Sequence, residues 1–157
     1  VLDASVNIAG RKGKRTISIR EFFAGVKKTI LASNEMVTSI SVPIPPKGSV
    51  GGYVKARRTV GEDLAVVGVG ALVTPIGKGG RDVRLAYASV APTPVRALEA
   101  EKVFESNRPL DQLLDLAMPI VSGTVSPISD VRVGKEYRVN LVEVLTRRLI
   151  RRLWEGI

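Results

Sequence analysis

The chain of 157 residues contains no cysteine and no histidine. Those absences exclude disulfides, a thiolate nucleophile, iron–sulfur ligation by this chain, an ordinary zinc site and a Ser-His-Asp triad. Aromatic residues make up only 4%, so a core has to be built from Val, Ile, Leu and Ala. Few aromatics lie beside the basic clusters to stack on bases, and direct nucleic-acid binding is not expected. No run reaches the roughly 20 apolar residues of a membrane span. The opening "VLDASVNIAG" lacks the basic-then-apolar pattern of a signal peptide. A chain without cysteine suits a reducing compartment, and a cytoplasmic location is expected.

What is present reads as globular. Hydrophobic residues are 45% of the chain, and the length can bury enough surface for independent folding. The formal charge is +9, with a pI near 10.3. The cations are spread over several clusters: Arg11 to Arg15, Lys27 and Lys28, Lys55 to Arg58, and Arg147 to Arg152. None forms a basic tail.

Periodicity divides the chain into strands and then helices. "ASVNIAG" and "RTISI" alternate around "RKGK" and predict a β-hairpin, loosely attached because its natural sheet partners would lie upstream. "REFFAG" reads as a short helical turn or loop. "EMVTSISVP" alternates as a strand closed by Pro43, and "PIPPKGSVGG" as a turn-rich connection. Strands follow in "GYVKARR", "LAVVGVGALV" and "VRLAYASVA", the last two joined by the Gly-rich "PIGKGGRD".

From residue 92 the period becomes helical. Thr93 is placed to cap a helix with Pro94 at its first position. Leu110, Leu113, Leu114 and Ala117 form a stripe in a second helix. Val142, Leu145, Leu149 and Leu153 form one in a third, from about Glu136 to Trp154. Strands followed by helices predict an α+β fold: an antiparallel sheet of three to four strands within residues 36 to 91, covered on one face by three helices, preceded by a β-hairpin.

Few residues carry chemistry. "GVG" at 68–70 lies inside a strand and "GKGG" at 77–80 opens no helix, so neither fits a phosphate loop. The carboxylates offer no catalytic pair: Glu62 and Asp63 are adjacent and on a strand would face opposite sides. No metal-ligand set is expected. Asp130 and Arg132 are spaced to pair and fix the loop before the last helix. That leaves Lys55, Arg57 and Arg58, set against a segment that reads as a buried strand. Such a cationic strand end suits an anionic group, or is a solvated surface.

The ordered set of segments is more specific than any one motif. "RKGKRTISIREFFAGVKKTILASNEMVTSISVPIP", "YVKARRTVGEDLAVVGVGALV", "YASVAPTPVRALEAE" and "PISDVRVGKEYRVNLVEVLTRR" resemble the C-terminal part of the FAD-binding medium subunit of the xanthine dehydrogenase and carbon monoxide dehydrogenase (molybdenum hydroxylase) family. The resemblance covers nearly the whole chain, in order. It implies a tail of an FAD-binding domain over residues 1–35 and a CO dehydrogenase flavoprotein C-terminal-like α+β domain over 36–157.

It further implies electron transfer from the two [2Fe–2S] clusters of a small subunit, through FAD, to an acceptor, with substrate oxidised at the molybdenum cofactor of a large subunit. Met36 and Val37 fall where the family packs apolar side chains near the isoalloxazine. Lys55 falls on its lysine near the flavin ring, and Glu62 and Asp63 in the loop at the flavin's reactive edge. The family's Gly-rich FAD segments lie upstream of the matching region, and this sequence has neither. Val1 is not an initiator Met, so the chain is expected to be a fragment or a split gene product, with weak or no FAD affinity by itself. A flavin-free protein-docking domain is the alternative from a different class, and nucleic-acid binding ranks below it.

Overall fold

A computed structural model describes residues 1–59 and 64–156. By its contacts the chain divides into two compact units, Leu2–Pro45 and a second that begins at Pro46 and includes Val1.

In the first unit, β1 (Ser5–Gly10) and β2 (Gly13–Ser18) form the predicted hairpin, with Gly10 paired to Gly13 across the turn. A single helical turn, α1 (Ile19–Phe22), follows, its start capped by the Ser18 side chain, which accepts from the Arg20 amide. A small ladder joins β3 (Phe23–Gly25) to β4 (Lys28–Thr29). β5 (Glu35–Ser41) pairs antiparallel with the other side of β1, giving the order β2-β1-β5.

Two expectations change here. The 36–42 strand does not open the sheet under the helices, and the hairpin does not lack a sheet partner, because β5 supplies one. The reason lies in the register. Val37 and Ile40 sit opposite the buried Ile8 and Val6, and Ser39 and Ser41 sit beside Asn7. Asn7 donates to both serine hydroxyls (3.0 and 2.9 Å) and accepts from Thr16 (2.7 Å).

The second unit contains the expected antiparallel sheet, in the order β6-β7-β8-β9: β6 (Val50–Ala56), β7 (Val67–Ile76), β8 (Gly80–Ala88) and β9 (Val95–Arg96). Three helices follow: α2 (Leu98–Val103), α3 (Leu110–Thr124) and α4 (Lys135–Trp154). Directly paired residues share a face. One face carries Val54, Val69, Ala71, Val73, Val83, Leu85 and Tyr87, which pack with Leu113, Leu114, Met118, Val142, Leu149 and Ile150 in one core. Burying each such aliphatic side chain contributes roughly 1.5–3 kcal/mol relative to exposure.

Gly52 lies on the same face, where a Cβ would stand 2.9 Å from Leu149 Cδ1. A hydrogen at this position lets α4 approach the strand. The Tyr87 hydroxyl reaches Thr146 (3.1 Å), which donates in turn to the Val142 carbonyl (2.6 Å). Burial pushes the Tyr87 phenol well above its ordinary value.

The helix expected from Thr93 begins later, at Leu98. Val95 and Arg96 instead extend as β9 against Tyr87 and Ala86. The Arg96 guanidinium then grips Glu101 through two bonds of 2.7 Å, and Glu101 also accepts the Leu85 amide (2.8 Å). A part-buried ion pair and two ladder positions outweigh the local capping signal. α3 carries the expected stripe of Leu110, Leu113, Leu114 and Ala117 and keeps Pro119 within it. Among the described residues no helix is long and apolar enough to cross a membrane.

Candidate functional site

The face of the second sheet turned away from the helices is floored by small residues. Gly68 and Gly70 of β7 stand beside Ala88 and Ala86 of β8, and opposite Lys55 and Tyr53 of β6. Lys55 and Tyr53 are two residues apart and therefore on the same face. Both are exposed, Tyr53 at 59%. Tyr53 folds over the floor: a Cβ on Gly68 would come within 2.5 Å of its hydroxyl oxygen and 3.2 Å of its ring. A side chain at 68 would oblige the exposed Tyr53 ring to swing aside. The predicted cation lies at an open surface, beside an aromatic side chain that sequence reasoning did not single out.

Beyond β6, Arg57 and Arg58 line a cavity of about 230 Å³ with Val66, Val133, Tyr137 and Leu141. The Val66 amide donates to the Ala56 carbonyl (2.8 Å), closing the base of the β6–β7 connection. Glu62 and Asp63, expected in this connection, lie outside the described residues.

The Val66 carbonyl is held from below. Arg138, only 2% exposed, donates from Nη1 to it (2.6 Å) and to the Ser89 carbonyl (3.0 Å). Its Nη2 donates to Asp130 (2.8 Å), while its buried Nε has no partner among the described residues. Asp130 pairs with Arg132 as expected (2.6 Å), and it also accepts the Arg132 and Val133 amides (3.0 and 3.2 Å). Burial alone would raise the Asp130 carboxyl. The bonds from Arg132, the two amides and Arg138 outweigh it and hold the group well below the ordinary carboxylate range. Arg138 carried one readable signal: it stands four residues before Val142, on the apolar stripe of α4, where an unpartnered cation would be costly.

Met36 and Val37 lie in the first unit on β5. They pair with Ala9 and Ile8 and project to opposite faces, Met36 65% exposed and Val37 half-buried. At the start of the same strand, Arg15 donates from Nε and Nη2 to the two oxygens of Glu35 (2.9 and 2.8 Å), and the Ala32 amide adds a third bond (2.9 Å). The Arg15 bonds, then the amide, lower the Glu35 carboxyl to about 2. Among the described residues no cluster of His, Cys, Asp and Glu is fit to hold a metal ion.

This architecture has close counterparts. The family model for the CO dehydrogenase flavoprotein C-terminal domain matches residues 52–153, and that for the FAD binding domain in molybdopterin dehydrogenase matches residues 1–45. The carbon monoxide dehydrogenase medium chain of Afipia carboxidovorans is 30% identical over 96% of this chain and 52% of its own length. The glyceraldehyde dehydrogenase medium chain of Sulfolobus acidocaldarius is 33% identical over 94% of this chain and 52% of its own. The solved structure of reconstituted CO dehydrogenase from Oligotropha carboxidovorans superposes with a TM-score of 0.92 at 29% identity, covering 99% of this chain and 54% of that one. The chain spans about half the length of these relatives. With about two thirds of its residues within the first family model, the chain belongs to the CO dehydrogenase flavoprotein C-terminal domain family.

Proposed function

We propose that this chain is the C-terminal portion of the flavoprotein electron-transfer subunit of a molybdenum hydroxylase. The observation that carries the reading is that its likeness to FAD-binding medium subunits runs through both units, over 96% of the chain. In this reading the first unit is the tail of the FAD-binding domain and the second its C-terminal partner. The small subunit with its [2Fe–2S] clusters and the large molybdenum-cofactor subunit are the other components, in the cytoplasm.

The residues present fit one side of FAD. Lys55 offers a cation on an open face beside Tyr53, suited to a ring system that gains negative charge. The Gly-rich stretches do not cradle phosphates: Gly68 and Gly70 lie inside β7, and Gly77–Gly79 form a 3₁₀ turn before β8. When bound, FAD supplies the redox chemistry, while the protein supplies binding and tuning. The Lys55 ammonium stabilises negative charge developing near it, an effect that strengthens as water is excluded. By the family resemblance, Met36, Val37, Glu62 and Asp63 are proposed as further flavin contacts.

Phosphate and adenine contacts through backbone amides on Gly-rich loops provide most of the anchoring of such a cofactor. A cation and two apolar contacts contribute about 2–4 kcal/mol, against an association cost of about 4 kcal/mol or more. This chain alone is therefore expected to be colourless, with a dissociation constant for FAD weaker than about 1 mM. A yellow preparation near one flavin per chain would contradict that. In the FAD-loaded full-length subunit, Lys55→Ala should keep FAD bound and lower its reduction potential; an unchanged potential would make Lys55 a plain surface cation.

A further inference from the structure

We infer that Arg138 is a positioning residue for the flavin-side cation: it fixes the β6–β7 junction that sets where Lys55 stands. The inference rests on the reading of Lys55 given above. Arg138 belongs to a different element, the first turn of α4, and among the described residues its hydrogen bonds go to Val66, Ser89 and Asp130. Its action runs through the backbone. The Val66 carbonyl accepts from Arg138 while the Val66 amide donates to Ala56, the residue after Lys55. The next rungs of the ladder pair Val67 with Ala56 and Gly68 with Lys55. A displacement at Val66 therefore passes within two residues to the strand position that carries the lysine.

The geometry shows why an arginine is needed. A planar guanidinium presents several donors in a fixed fork. Here one nitrogen spans the two carbonyls of Val66 and Ser89, and another meets Asp130. Asp130 is itself held by the Arg132 and Val133 amides, so the fork is braced from the loop before α4. Ser89 has a positive φ of 65°, a conformation unfavourable for a non-glycine residue, and the bond to its carbonyl helps hold that turn. Three segments distant in sequence thus meet on one side chain. A lysine keeps the charge but cannot reproduce the fork.

The test is a cycle on the FAD-loaded full-length subunit, with Lys55→Ala, Arg138→Lys and the double variant, reading the flavin reduction potential. Because Arg138→Lys preserves charge, its through-space electrostatic effect is nearly unchanged. Arg138→Lys is expected to lower the potential in the same direction as Lys55→Ala, and the double variant to equal Lys55→Ala alone. The amide of Val66 should also exchange hydrogen at least tenfold faster in Arg138→Lys, a readout that needs no flavin. Asp130→Glu, which keeps the charge but misplaces the brace, should follow the same pattern with a smaller shift and serves if Arg138→Lys does not fold. Additive shifts, or a potential that Arg138→Lys and Asp130→Glu leave unmoved while Lys55→Ala moves it, would overturn this inference alone. A potential insensitive to Lys55→Ala would overturn the underlying reading of Lys55, and this inference with it.

Discussion

The hydroxyl pair between β8 and α4 supports a quantitative test of how the sheet is fastened to its helices. Thr146 Oγ1 donates to the Val142 carbonyl (2.6 Å), so the bond to Tyr87 (3.1 Å) takes its proton from the phenol. Both side chains are buried, Tyr87 at 1% and Thr146 at 0% exposure. Tyr87→Phe removes a donor and leaves Thr146 its carbonyl partner, so the cost is that of one net hydrogen bond, about 1 kcal/mol. Thr146→Val is nearly isosteric but strands the buried phenol without an acceptor, a penalty of about 1–3 kcal/mol. Removing both groups leaves nothing unpaired, and the double variant should lie within about 1 kcal/mol of the parent.

Of the four proteins the parent is therefore the most stable and Thr146→Val the least, with Tyr87→Phe and the double variant between them. The single tryptophan is a natural probe. Trp154 ends α4 beside Phe104, at 6.3 Å between ring centres, with the Arg81 guanidinium 4.1 Å from its own. Urea unfolding followed by its fluorescence gives the free energies of all four proteins. Costs that simply add in the double variant would mean the two hydroxyls are not coupled, and a Tyr87→Phe cost above that of Thr146→Val would refute the proton order.

The Glu35 carboxyl, lowered to about 2 from its usual 4.5, stabilises the folded state once pH is above 4.5, and that contribution is lost as pH falls through about 2. Acid titration of stability should therefore flatten over that window in Glu35→Gln. Gly52→Val forces a side chain against Leu149 and Leu153 and should destabilise the second unit by about 1–3 kcal/mol in urea unfolding. Pro119 sits in the exposed interior of α3, where it costs a helix about 3 kcal/mol against roughly 1 kcal/mol gained by stiffening the unfolded chain. Pro119→Ala should thus raise the melting temperature, and a lower one would show that Pro119 is required by packing.

Alternation and helical stripes were sufficient for the second unit, because its core is aliphatic and each element hides one face. Val67, Val69, Ala71 and Val73 face the helices in alternate positions, as the period implies. Where tertiary pairing competes with local signals, the sequence misleads. Val95 and Arg96 follow a sound capping pair, yet a ladder to β8 and the grip on Glu101 hold them extended. The strand at 36–42 reads correctly as a strand, but its partner is chosen by the Asn7 hydroxyl network and the buried Val6 and Ile8, contacts more than 25 residues away in sequence.

Lys55 was legible as a cation at a strand end, though its register with Gly68 was not. Tyr53 gave no signal, since an exposed tyrosine on a strand is commonplace. Arg138 left the trace of a charge on an apolar stripe, and its three partners are spread from Val66 to Asp130.

The carboxylate of Glu101, in taking the Leu85 amide, occupies the place a neighbouring strand would use. With β9 only two residues long, that side of the sheet offers little template for another chain, a common defence against ladder-to-ladder aggregation. β6 stands at the opposite margin and among the described residues has a strand partner on one side only. Growth of this sheet by an added strand is thus directional, confined to the margin that bears the lysine. Any such extension, by a partner or by misassembly, would reach that lysine's strand before any other part of the sheet.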